Sequence, residues 1–270
     1  MENLIFGISG IPHGEKKMTY PMGIDYLKSF GLDAMELPFV RSVNVTDNNR
    51  SLINEKKALH DFYLSAHGSY FINLNAEDLE KRQASKERIL KGAEALLSVG
   101  GRSLVFHAGY YLDKSKEETM HNIIQELHTL EDIGITYRLE TTGKETQFGN
   151  LDELIEISKQ VKTCGLCVDF SHIHARYNGS LKSYDDFARI LDNIGTNLGD
   201  EAIKDMHIHI SGINYGAKGE KNHLPFADSD FNYKDCMKAL KNYNVAGCII
   251  CESPILEVDA KLLKDYYHSL

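Results

Sequence analysis

Apolar and polar positions alternate between two periods along this chain. Eight short runs rich in Ile, Leu, Val, Phe and Tyr, at 3–9, 33–39, 62–67, 103–108, 135–141, 165–170, 205–211 and 247–252, read as strands. Helical spacing fills most of the intervals, most clearly at 78–99, 115–133, 151–163 and 183–196. Asn150 stands where an N-cap belongs, and Gly100-Gly101 is a plausible helix stop. Strands that alternate with helices predict a parallel sheet, and eight such units can close into a (β/α)8 TIM barrel, here a single domain over residues 1–270. An open doubly wound sheet is the competing architecture.

The ends of the strands decide between them. Six successive runs finish on groups able to bind a divalent metal: LSAHGSY on His67, LVFHAG on His107, YRLETT on Glu140, CVDFSH on Asp169 and His172, MHIHISG on His207, and CIICESP on Glu252. In an open sheet six strand ends would spread over roughly 25 Å, at about 4.8 Å per strand. A barrel gathers them at one C-terminal mouth, where active sites on this fold lie. Glu140, Asp169, His207 and Glu252 suit one ion. His67 and His107 suit a second that shares a carboxylate, and His172 and His223 are left for a third. A single such residue has a duller reading, as a hydrogen-bonded structural group; their joint position argues for a multi-metal site.

Composition changes the picture little. Lys and Arg number 30 against 39 Asp and Glu, a net charge of −9, which argues mildly against nucleic acid as a partner. Bound metals would reverse that field locally. The start MENLIFGISG lacks the basic region and apolar core of a signal peptide, and an apolar run of about 20 residues is missing, so a cytoplasmic chain with no membrane partner is expected. Five cysteines, two pairs of them in CxxC spacing (Cys164/Cys167 and Cys248/Cys251), are expected to be reduced and buried rather than zinc-bound.

At the strand ends the chain resembles the endonuclease IV family, metal-dependent apurinic/apyrimidinic endonucleases within the xylose-isomerase-like TIM-barrel superfamily. The segment from His67 to Leu74, HGSYFINL, is similar to the family's H-D-S-Y-L-I-N-L. Phe106-His107-Ala108-Gly109 resembles F-H-P-G, Leu139-Glu140-Thr141-Thr142 the E-N-T segment, and Asp169-Phe170-Ser171-His172 the D-x-x-H segment. Met206-His207-Ile208 resembles M-H-L, and Cys251-Glu252-Ser253-Pro254 resembles L-E-T-P. The resemblance implies zinc, with Mn2+ or Fe2+ as alternatives. His67, His107 and Glu140 would hold one ion; Glu140, Asp169, His207 and Glu252 a second; His172 and His223 a third. Glu140 and Glu252 would also serve catalysis. The implied reaction is hydrolysis of the phosphodiester 5′ to an abasic site in double-stranded DNA, which leaves a 3′-hydroxyl, by a monomeric enzyme. Tyr70 would fill the gap left by the missing base, and Arg41, Arg176 and Lys221 would contact DNA.

Three departures bear on this reading. Lys221-Asn222-His223 stands where the family has D-R-H, Gly68 replaces an aspartate, and the run after His172 differs from A-A-G-Y. An ammonium cannot ligate a metal as a carboxylate does, so the third site is expected to be weak unless Glu220 takes over. Glu140, Asp169, His207 and Glu252 would equally suit a sugar isomerase or epimerase of the same superfamily that uses a single divalent metal. A metal-binding barrel without activity is the third possibility.

Overall fold

The computed structural model describes residues 3–14 and 17–270. Lys16, a cation that follows the first strand run in the sequence, lies outside the described residues. Eight parallel strands close into a barrel: β1 (Leu4–Ser9), β2 (Ala34–Pro38), β3 (Tyr63–His67), β4 (Ser103–Phe106), β5 (Thr136–Glu140), β6 (Cys164–Asp169), β7 (Met206–Ile210) and β10 (Gly247–Cys251). β1 pairs with both β2 and β10, so the sheet has no edge. Each strand lies within the stretch that hydrophobic patterning marked, except that β6 begins one residue earlier, at Cys164. The open-sheet alternative is thereby excluded.

Helices connect the strands where the 3.6-residue period predicted them, at Leu79–Leu97, Lys116–Leu127, Leu151–Gln160 and Tyr184–Leu198. The Asn150 side chain accepts from the Glu153 amide, and Glu153 returns the bond to the Asn150 amide, a reciprocal cap. Outward strand residues such as Phe6, Leu64, Leu104, Leu139, Ile208 and Ile249 are buried against the helices. The five cysteines are free and buried, as expected. Among the described residues no helix is long and apolar enough to cross a membrane.

Two local features were not apparent in the sequence. A helix over Phe170–Arg176 begins directly at the end of β6, capped by the Asp169 carboxylate, which accepts from the His172 amide at 2.8 Å. An antiparallel hairpin, β8 (Gly212–Gly216) and β9 (Gly219–Leu224), rises from β7 over the mouth. Its tip touches the loop after β5. A side chain at Gly219, where φ is +89°, would meet the Gly143 carbonyl, and the Glu220 amide donates to that carbonyl at 3.0 Å. A side chain at Gly143 would in turn overlap Glu220 and crowd His172. Glycine at both positions lets the hairpin close onto the mouth.

A candidate metal centre at the barrel mouth

Strand side chains alternate between the lumen and the helices, so lumen-facing residues two apart on one strand differ in depth by about 7 Å. This sorts the strand-end groups. Glu140 is the hub, and it is 1% exposed. Its Oε2 lies 2.8 Å from His107 Nε2 and 3.1 Å from His67 Nε2; its Oε1 lies 3.1 Å from His209 Nδ1 and 3.4 Å from His172 Nδ1. Besides a deeper group of Cys167, His207 and His209, three groups of candidate ligand atoms lie at the mouth: His67, His107 and Glu140; Glu140, Asp169, His209 and Glu252; and Asp169, His172 and His223. Glu140 joins the first two and Asp169 joins the last two.

His207 does not belong to the second group. It pairs in register with Cys167 and Cys248, whereas His209 pairs with Asp169, at the rim. Both imidazoles face the lumen, but His207 sits one layer down, where its Nε2 meets Glu36 at 2.9 Å and its Nδ1 meets the Cys248 thiol at 3.2 Å. The M-H-L likeness points to His207, whereas the structure groups His209 with Glu140, Asp169 and Glu252. Glu36, fully buried within β2, was missed altogether, because it stands in mid-strand rather than at a strand end.

The donors fit a divalent cation. Atoms that ligate one ion from about 2 Å are themselves roughly 3 Å apart without pointing at one another. His107 Nε2 shows this: it is buried, 2.8 Å from Glu140, yet off the hydrogen-bond axis. Asp169 Oδ2 and His223 Nε2 are also buried without a hydrogen bond among the described residues. In three rings Nδ1 faces a backbone carbonyl: His67 that of Gly68 at 2.9 Å, His172 that of Thr141 at 2.9 Å, and His223 that of Glu252 at 3.1 Å. A carbonyl only accepts, so Nδ1 carries a proton, and it is Nε2 that offers its lone pair to a cation once the ring is neutral.

The electrostatics of the cluster point the same way. Burial pushes the Glu140 carboxyl up, but the charges of His107 and His209 outweigh it and hold the group well below its usual range. Burial, with Glu140 and Glu252 beside it, raises Asp169 despite His172. Burial lowers His67 and His172, but the surrounding carboxylates prevail and lift each to about 9. Both rings therefore hold a proton on Nε2 at neutral pH, which a ligated metal must displace. Affinity for a divalent ion should rise with pH up to about 9, by about tenfold per unit for each proton displaced. Calorimetry in buffers of different ionisation enthalpy should register the released protons; metal binding without proton release would contradict this.

The hairpin resolves the Lys221 departure. Asn214 pairs with Asn222 and Tyr215 with Glu220, so Lys221 is the extra residue of a β-bulge. The bulge shifts the alternation by one residue. Glu220, not Lys221, therefore faces the cavity, with Oε2 3.5 Å from His172 Nε2 and Oε1 4.0 Å from His223 Nε2. Lys221 is exposed on the hairpin's outer side. Arg176 departs from expectation as well. It is buried, and its guanidinium donates to Thr142 Oγ1 at 2.8 Å, to the Gln147 carbonyl at 3.1 Å and to the Lys144 carbonyl, so it braces the loop after β5 and cannot meet a ligand. Lys144, unremarked in the sequence, is the lysine that lines the cavity. Arg41 is exposed, and its charge acts on the Tyr70 hydroxyl.

The cavity at the mouth is about 420 Å³ and is lined by His67, Tyr70, His107, Tyr110, Glu140, Lys144, His172, Glu220, His223 and Glu252, among others. Tyr70 is 65% exposed, its ring edge-on to His67 at 5.7 Å. A closed parallel barrel with carboxylate and imidazole donors at its mouth agrees with the sequence profile of xylose isomerase-like TIM barrels, which matches residues 24–266. The chain belongs to the xylose isomerase-like TIM barrel family. An uncharacterized protein of Methanocaldococcus jannaschii is 43% identical over 99% of this chain and 98% of its own. A probable endonuclease 4 of Mycoplasma pneumoniae is 24% identical over 77% of this chain and 76% of its own. Among solved structures, a D-tagatose 3-epimerase-like protein superposes with a TM-score of 0.76 at 20% identity, over 98% of this chain and 97% of that one. A nuclease-named sequence relative and an epimerase-like structural neighbour are thus both similar to this chain, and the fold alone does not choose between them.

Proposed function

We propose that this protein is a metal-dependent endonuclease that hydrolyses the phosphodiester 5′ to abasic sites in DNA, with zinc as its metal. One observation carries the reading: three candidate ligand groups are joined through Glu140 and Asp169. A reaction at a single cation would need only Glu140, Asp169, His209 and Glu252. It would leave His67, His107, His172 and His223 without a task, although their Nε2 atoms converge on the same cavity.

Divalent ions held there would supply Lewis acidity, lowering the pKa of water and drawing charge from phosphoryl oxygens. The chain's own groups do the rest. Glu140 holds the first two groups at one spacing by sharing its two oxygens between them. Lys144 offers an ammonium to a backbone phosphate at the rim. Tyr70 presents a flat exposed ring that can stack where a base is missing. Glu220 and Glu252, half-buried at the cavity wall, can accept a proton from water.

An epimerase reading retains one observation in its favour, since the Glu140, Asp169, His209 and Glu252 group is complete by itself. A duplex with a single abasic analogue separates the two. Cleavage 5′ to the lesion that leaves a 3′-hydroxyl is expected, with affinity falling as salt rises. Tyr70→Ala should weaken abasic-duplex binding by about 1–3 kcal/mol, the usual value of a base–aromatic stack. Intact metal binding with no cleavage, and equal affinity for abasic and intact duplex, would overturn the nuclease assignment.

A further inference from the structure

Beneath the candidate ligands lies a second buried layer that the proposed chemistry does not use. Glu36 is 0% exposed and sits between two imidazoles: Oε2 is 2.9 Å from His207 Nε2, and Oε1 is 2.9 Å from His209 Nε2. Ser65 Oγ donates to Oε2 at 2.8 Å, and Cys167 lies against the two rings. Such a charged layer in a barrel lumen is costly unless it is paired. His209 spans both layers, with Nδ1 3.1 Å from Glu140 and 3.7 Å from Glu252.

A neutral imidazole has one N–H and one lone pair. A lone pair on Nε2 facing the Glu36 carboxylate at 2.9 Å in a dry interior would be repelled. A proton there is attracted. Neither Glu36 Oε1 nor His209 Nε2 has an aligned hydrogen-bond partner among the described residues, so each is the other's available partner after a small ring rotation. Glu36 in turn is held from behind by His207 and Ser65.

We propose that Glu36 is a positioning residue: it keeps the His209 proton on Nε2 and thereby aims the Nδ1 lone pair at the cation site shared with Glu140, Asp169 and Glu252. His207 acts only through Glu36, which accounts for a second lumen histidine one layer below the rim. The inference rests on the metal-centre reading above.

The test uses the full chain, titrated with Co2+ and Zn2+ in competition with a chelator, and compares the native protein with Glu36→Leu and Glu36→Gln. Leucine fills the space without accepting a proton, so affinity should fall about 10–100-fold. Glutamine still accepts through its amide oxygen, so affinity should stay within about threefold, the natural scatter of such effects. The zinc-loaded native protein should show a slowly exchanging His209 Nε2–H signal by NMR, kept in Glu36→Gln and lost in Glu36→Leu. Native-like affinity and an intact signal in Glu36→Leu would overturn the proposal. Should Glu36→Leu not fold, Glu36→Gln decides alone: a 10–100-fold loss with the N–H signal retained would mean that charge, not position, is the contribution. A native protein that binds neither ion would remove the metal-centre reading itself, and this inference with it.

Discussion

Replacing Glu140 with glutamine should strip the mouth of bound metal and abolish turnover. Each Glu140 oxygen already serves a different group. Oε2 lies between His67 and His107, and Oε1 faces His209 and His172. Glutamine keeps the shape but turns one oxygen into an amide NH2, which has no lone pair for a cation and directs its protons into the cluster. Removing one partner of a buried charge pair costs about 3–5 kcal/mol. At about 1.4 kcal/mol per tenfold, that is roughly 10²–10⁴ in metal affinity. The loss should fall on two groups at once, because the residue is shared. Elemental analysis after gel filtration, together with a cleavage assay, reads both. Full metal occupancy with normal turnover in Glu140→Gln would reject the shared role.

The second large effect concerns the hairpin. Glu220→Gln should weaken the ion expected at His172 and His223 by about 10–100-fold and lower turnover in step, the usual scale for a residue beside a metal ligand. Lys221→Ala should leave both unchanged. Lys221→Asp, the substitution suggested by the family's D-R-H pattern, should not improve the site. The bulge between Asn214/Tyr215 and Glu220/Asn222 places residue 221 on the outer face, and the Gly219–Gly143 contact fixes the hairpin tip in that register. A new carboxylate at 221 would therefore face solvent. Metal titrations of the three variants against the native protein decide the matter. A tighter third ion in Lys221→Asp would show that the hairpin adopts the other register in solution. The sequence made the third site weak unless Glu220 takes over, and Glu220 is the residue turned toward His172 and His223.

Much of the architecture follows from local pattern. Eight strands, their parallel order and the helices between them are properties of short stretches, where a period of two or of 3.6 residues can be read within one element. The kinds of side chain at the strand ends are also local, which is why His67, His107, Glu140, Asp169 and Glu252 could be assigned to one mouth. Cys167, Cys248 and Cys251 are buried, as their place within apolar runs predicts.

What the tertiary structure alone decided was depth, side and burial. His207 and His209 have the same residue type, the same strand and the same lumen face; only the stagger of β7 against β6 and β10 makes one a rim residue and the other an interior one. Glu36 acquires its place beneath the mouth from barrel closure, which leaves only β1 and β10 between β2 and β7. One bulged residue exchanges Glu220 for Lys221. Arg176 is withdrawn from the rim because its helix starts directly at Asp169 and turns it under the loop after β5. For the two histidines and Glu36 the local period is unchanged, and what differs is a register set by pairing between segments far apart in sequence, which no local pattern carries.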